Sequence, residues 1–98
     1  MTAYAFQTEL WRYEGEAGWF FVSLPTELAD TIRAEQGPLA RGFGSVKVSV
    51  RLGSSQWATS VFPDAARGTY LLPVKKSVRL AEGLDAGDTV AVELTVVD

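Results

Sequence analysis

The sequence predicts a mostly β domain of about six strands and two short helices. Three observations carry that expectation. Apolar and polar residues alternate over 46–52 and again over 89–96, the period of two that belongs to a half-buried strand. Clusters rich in Gly, Pro and Asp punctuate the chain at 14–18, 53–54, 63–68 and 85–88, leaving strand-sized runs between them. Two apolar runs end in a Leu-Pro pair, Leu24-Pro25 and Leu72-Pro73, and each leads into a stretch with helical spacing.

The first strand is expected from Tyr4 to Glu14, with Tyr4, Phe6, Thr8 and Leu10 on one face and Trp11 and Tyr13 on the other. The second, Trp19-Phe20-Phe21-Val22-Ser23-Leu24, is almost wholly apolar, which predicts a strand covered on both faces or seated at an interface. Pro25 opens a helix, because its missing N–H needs no partner at the first helical position. Glu27 complements the positive end of the helix dipole, and Leu28 and Ile32 mark the buried stripe with Ala29 beside them. Gly37-Pro38 stops the helix. In the third strand Val46, Val48, Val50 and Leu52 face the core, and Ser45, Lys47, Ser49 and Arg51 face water. Burying each apolar side chain contributes about 1.5–3 kcal/mol. Fixing the backbone costs about 1–2 kcal/mol per residue, so the strand is stable only when paired.

Gly53-Ser54 makes a tight hairpin into a fourth strand, Gln56 to Phe62. After the loop 63–68, the short strand Thr69-Tyr70-Leu71-Leu72 ends at Pro73. A second helix follows from Val74 to Glu82, with Val74, Val78 and Ala81 as its stripe and Gly83 at the C-cap. In the last strand Val90, Val92, Leu94 and Val96 alternate with Thr89, Ala91, Glu93 and Thr95.

At 98 residues with no linker, the chain reads as a single domain, 1–98. There is no cysteine, which excludes disulfides, thiolate nucleophiles and Cys-ligated metals. There is no histidine, which removes the commonest general base and every Ser-His or Cys-His pair. Chemistry by carboxylate, lysine or tyrosine stays open, as does an oxygen-only site for magnesium or calcium. The net charge of −3 argues against a general nucleic-acid binder. No apolar run approaches the ~20 residues of a membrane helix. Residues 1–9 lack the basic start and apolar stretch of a signal peptide, so a cytoplasmic location and no membrane association are expected.

Three groups of residues are candidates for a site. Residues 65–81 contain Arg67, Lys75, Lys76 and Arg79 and no acid, an asymmetry that suits phosphate or an acidic partner; the plainer reading is a solvated helix face. Lys47 and Arg51 would extend this patch or serve as edge-strand charges that discourage aggregation. Among the aromatic residues Trp11, Tyr13, Trp19, Trp57 and Tyr70, Trp57 follows a hairpin turn and would stack a base or line a small pocket; core packing is the alternative. The acids Glu82, Asp85 and Asp88 fit no EF-hand spacing and read as turn chemistry. Ser60 and Ser77 have no histidine to activate them, and Gly42-Phe43-Gly44 lacks the third glycine and the helix of a phosphate loop. The binding candidates are therefore Trp57, Arg67, Lys75, Lys76 and Arg79, with no catalytic residue, cofactor or metal ligand assigned.

The two Leu-Pro units echo each other: strand, Leu-Pro, helix, valine-rich strand. The second, from Leu72 through Gly83-Leu84 and Gly87-Asp88 to Val90, resembles the swapped-hairpin half of AbrB-type and MazE-type transcription factors. The whole chain resembles a bacterial family of unknown function found alone or ahead of a YdeI/OmpD-associated domain. The matching pieces are Trp19 to Pro25, Val46 to Phe62, Tyr70 to Arg79, and Gly87-Asp88 with its strand. This resemblance implies a double-split β-barrel with two pseudo-symmetric strand–Pro–helix–strand halves supplied by one chain. That fold also hosts DNA-binding proteins, and fold does not carry function. The reading that follows is a non-enzymatic binding or accessory domain for a protein or small-molecule partner, as a monomer or homodimer. The rival is nucleic-acid binding through residues 65–81, and an enzyme dependent on carboxylate or lysine comes last.

Overall fold

A strand with one apolar face must bury it against others, and here the strands do so by closing on themselves. The structure, a computed structural model, describes residues 3–15, 18–36 and 44–97. Its elements in chain order are β1 (Ala3–Arg12), β2 (Phe20–Ser23), α1 (Thr26–Gln36), β3 (Val46–Leu52), β4 (Ser55–Asp64), β5 (Thr69–Pro73), α2 (Lys76–Glu82) and β6 (Thr89–Val96). Among the described residues the six strands form a closed barrel in the order β1-β2-β5-β4-β3-β6, every pair antiparallel. Closure gives every strand two neighbouring strands. Lys47 and Arg51 are therefore not edge charges, because β3 is paired with both β4 and β6.

The pleat places side chains as the alternation requires. Leu10, Val22, Val48, Val50, Val61, Leu72 and Leu94 fill the interior, essentially without solvent contact. Trp11 and Phe21 lie opposite each other on the outer face of β1 and β2, with ring centroids 5.3 Å apart. The apolar run of β2 thus has one face in the core and the other under its own aromatic neighbours. The described part of α1 buries Ala29 and Ile32 completely and Leu28 partly. The expected stop at Gly37-Pro38 lies outside the described residues. Among the described residues no helix is long and apolar enough to cross a membrane.

Several boundaries move, each for a local reason. β1 ends at Arg12, two residues before Glu14, at a turn where the Tyr13 amide donates to the Trp19 carbonyl (2.8 Å). β4 runs through Pro63 to Asp64 instead of stopping at Phe62. The β3 ladder reaches β4 only up to Val61, so beyond it β4 has a neighbour on one side, and the missing N–H of Pro63 interrupts no second ladder. Pro73 belongs to β5, opposite Phe21, and α2 begins three residues later, at Lys76. Of the stripe expected for α2, Val74 is buried ahead of the helix, Val78 is buried within it, and Ala81 is exposed. Gly83 caps the helix in the left-handed conformation, with φ 64°.

The connectivity has an internal two-fold. Exchanging β1 with β4, β2 with β5 and β3 with β6 reproduces the same set of strand neighbours. The Val22–Leu72 pair lies on the pseudo-dyad. Its flanking hydrogen bonds are related by the exchange: the Leu24 amide donates to the Tyr70 carbonyl (3.0 Å), and the Val74 amide to the Phe20 carbonyl (2.9 Å). Leu24 therefore corresponds to Val74, and Pro25 to Lys75. The Leu-Pro echo in the sequence is out of register by two residues, because the prolines stand at different points of otherwise equivalent units.

Candidate functional site

The two halves differ most where their helices meet the barrel. In the first half, Ala29 and Ile32 pack against the core and no solvent reaches them. The same helical positions in α2 hold Arg79 and Glu82, as the matching turns show: the Ala29 amide donates to the Pro25 carbonyl (3.0 Å), and the Arg79 amide to the Lys75 carbonyl (3.1 Å). The strand side changes in step. Thr69 is tucked in, 3% exposed, with its hydroxyl donating to the Leu24 carbonyl (2.7 Å), whereas its counterpart Trp19 stands 52% exposed. Tyr70 is buried, while its counterpart Phe20 is only partly covered. The first half is sealed and the second is open.

The opening is a cleft of about 320 Å³. Gly18, Trp19 and Phe20 form one wall, at the entry to β2; Trp57, Ala58 and Thr59 of β4 form the other. Both strands adjoin β5, so the floor between them is Pro73 and Val74, with Lys75, Lys76 and Arg79 at the entry to α2 and on it. Among the described residues the lining contains three cations and no carboxylate. Among the described residues the ion pairs are Arg33–Asp30 and Arg67–Asp64, so none of the three cations is neutralised by an acid. The Arg79 guanidinium carbon lies 3.8 Å from the centre of the Phe20 ring, and Nε donates to the Val74 carbonyl (3.3 Å). One edge of the guanidinium is thereby fixed, and the terminal amino groups take no partner among the described residues. A planar cation held over a ring in this way is pre-organised to meet an anion.

Four of the five residues singled out from the sequence, Trp57, Lys75, Lys76 and Arg79, line this one cleft. Arg67 does not. It pairs with Asp64 through a 2.6 Å contact in the β4–β5 turn, and its guanidinium carbon lies 4.3 Å from the centre of the Trp11 ring. That pairing holds the Asp64 carboxyl below the ordinary aspartate range, the Arg67 hydrogen bond being the main cause. The run 65–81 is thus not one basic face, because the turn folds Arg67 onto β1 while α2 turns the others toward β2 and β4. Lys47 and Arg51 lie outside the cleft.

Trp19 and Phe20 are lining residues that the sequence placed in an apolar strand covered on both faces or seated at an interface, with Trp19 also among the aromatic candidates. Their signal was present but required the register of the two halves: Gly18 and Gly68 are equivalent, with φ 63° and 67°, and the residues after them, Trp19-Phe20 against Thr69-Tyr70, differ greatly in size and exposure. Glu82 takes a structural role beside the cleft. Its carboxylate accepts hydrogen bonds from the Ser55 hydroxyl (2.7 Å), the Ser54 hydroxyl (3.1 Å) and the Ser54 amide (3.3 Å), tying α2 to the hairpin that carries Trp57. Asp88 acts within its own turn, accepting from the Asp85 amide (2.8 Å). Comparison with curated proteins gives no match. The model of a family described as a domain of unknown function (DUF1905) matches residues 6–94, and the chain belongs to that family.

Proposed function

We propose that this domain is a non-catalytic binding module and that its site is the cleft between β2, β4 and α2, which takes a small anionic ligand. The observation that carries this reading is that Lys75, Lys76 and Arg79 share one lining with no carboxylate and no ion pair to an acid among the described residues. Trp19, Phe20 and Trp57 set an aromatic surface beside those charges. Among its described residues the lining offers no histidine, cysteine or carboxylate as general base, which favours binding over turnover. An accessory role suits such a module: the bound ligand would regulate a second domain, as in the arrangement with a YdeI/OmpD-associated domain, in the cytoplasm. The AbrB-like reading, nucleic acid held along 65–81, is less well supported because Arg67 is already satisfied by Asp64 and Trp11.

Calorimetric titration of the purified chain with pyrophosphate at low ionic strength tests the proposal. One site per chain is expected, weakening as salt rises. Lys75→Glu or Arg79→Glu should lose about tenfold or more, the worth of a charge-assisted hydrogen bond. Lys47→Glu, outside the cleft, should bind like the parent. Failure of pyrophosphate, phosphate and citrate to bind at millimolar concentration would overturn the reading.

A further inference from the structure

The cleft pairs its cations with an aromatic surface that the fold has no need to expose. Trp19 stands nearly parallel to Phe21, with centroids 6.0 Å apart and an interplanar angle of 8°. Phe21 is itself braced by Trp11 at 5.3 Å and by Tyr13, edge-on, at 6.2 Å. Trp19 is thus held in place by a packed row of rings and yet is 52% exposed, while its counterpart in the sealed half is a buried threonine. A large ring in a fixed orientation loses little side-chain freedom when a ligand covers it, which is what a stacking platform requires. It borders the same cleft as Lys75, Lys76 and Arg79.

We infer that the ligand is a phosphorylated planar ring compound of the mononucleotide class. Its ring stacks on Trp19 and its phosphate meets Lys75, Lys76 and Arg79. The cleft's volume of about 320 Å³ lies at the small end of ligand pockets, which suits one nucleotide. This inference rests on the anion-binding reading above and adds the requirement for a ring. A free nucleotide and one unit of a single strand present the same chemistry.

The test is calorimetry on the whole chain with three probes: adenosine 5′-monophosphate, ribose 5-phosphate and tetradeoxyadenylate. Stacking predicts that the monophosphate binds about 5- to about 150-fold tighter than ribose 5-phosphate. Trp19→Ala should abolish that preference, weakening adenosine 5′-monophosphate far more than ribose 5-phosphate; Trp19→Phe should retain most of it. Equal affinity of the two monophosphates in the parent chain, or a preference that survives Trp19→Ala, overturns the ring while leaving anion binding intact. Failure of all three probes and of pyrophosphate overturns both. If the tetranucleotide binds more tightly than the monophosphate and Trp19→Ala removes the gain, the ligand is a strand; equal binding identifies the free nucleotide.

Discussion

Glu82 shows how much one side chain decides in a domain this small. Its position belongs, by the pseudo-symmetry, to a core residue like Ile32, but its carboxylate instead accepts three hydrogen bonds from Ser54 and Ser55. The Ser55 hydroxyl foremost, and then Ser54, hold its pKa below the ordinary glutamate value, with partial burial opposing them. A group whose pKa is depressed on folding adds stability above its unfolded value, and that stability is lost as pH falls through the folded value. Glu82→Gln should therefore be less stable than the parent at neutral pH, with the gap closing as pH drops below the ordinary glutamate range of about 4.3. Urea unfolding midpoints from pH 7 to pH 3 check this; a gap that stays constant with pH would show that the carboxylate charge is not what the two serines stabilise. Gly53 leaves room for the clamp: its φ is +61°, and a Cβ there would run into the Glu82 carboxylate.

At the scale of elements, α1 and α2 are the same device with different contents. Ala29, fully buried, closes one side of the barrel; Arg79, half-buried over Phe20, leaves the other side open. Exchanging the residue types should have unequal effects. Arg79→Ala removes a cation–π contact and should cost about 0.5–2 kcal/mol of stability, while pyrophosphate binding weakens. Ala29→Arg places an uncompensated charge in a site with no solvent and should cost about 3–5 kcal/mol. Thermal melts of the two variants separate the cases, and comparable losses would show that the halves are not divided into a sealed and an open side. The helical spacing of 74–82 was legible in the sequence, but its inward face was misjudged. Ala81 has the right polarity for the core, yet it points to solvent, because the helix starts at Lys76 and its phase is set by the backbone bond from Arg79 to Lys75.

For the whole molecule, stability rests on closure around a narrow interior. Leu72 lies on the pseudo-dyad opposite Val22, and neither has any exposed surface. Leu72→Ala should cost about 2–5 kcal/mol. That is a large share of the roughly 5–15 kcal/mol that a domain has in all. Leu80, 71% exposed on α2, should change stability by no more than about 0.5 kcal/mol when replaced by alanine. Denaturant midpoints of the pair measure the contrast, and similar values for both would contradict a core built on the dyad.

The strands and turns were legible along the chain, to within a few residues at their ends, because alternation and turn chemistry are local properties: Val46, Val48, Val50 and Leu52 alternate in the sequence and are buried in β3. It also marked Trp57, Lys75, Lys76 and Arg79 as unusual by type and spacing. Which of these residues meet depends on the order of strands around the barrel. Trp57 lies 18 residues before Lys75, and they share a cleft because β5 runs between β4 and β2. Arg67 lies closer in sequence and is absent from that cleft, because its turn faces β1. The two-residue offset between Pro25 and Pro73 was likewise invisible along the chain, since register is fixed by pairing across strands distant in sequence.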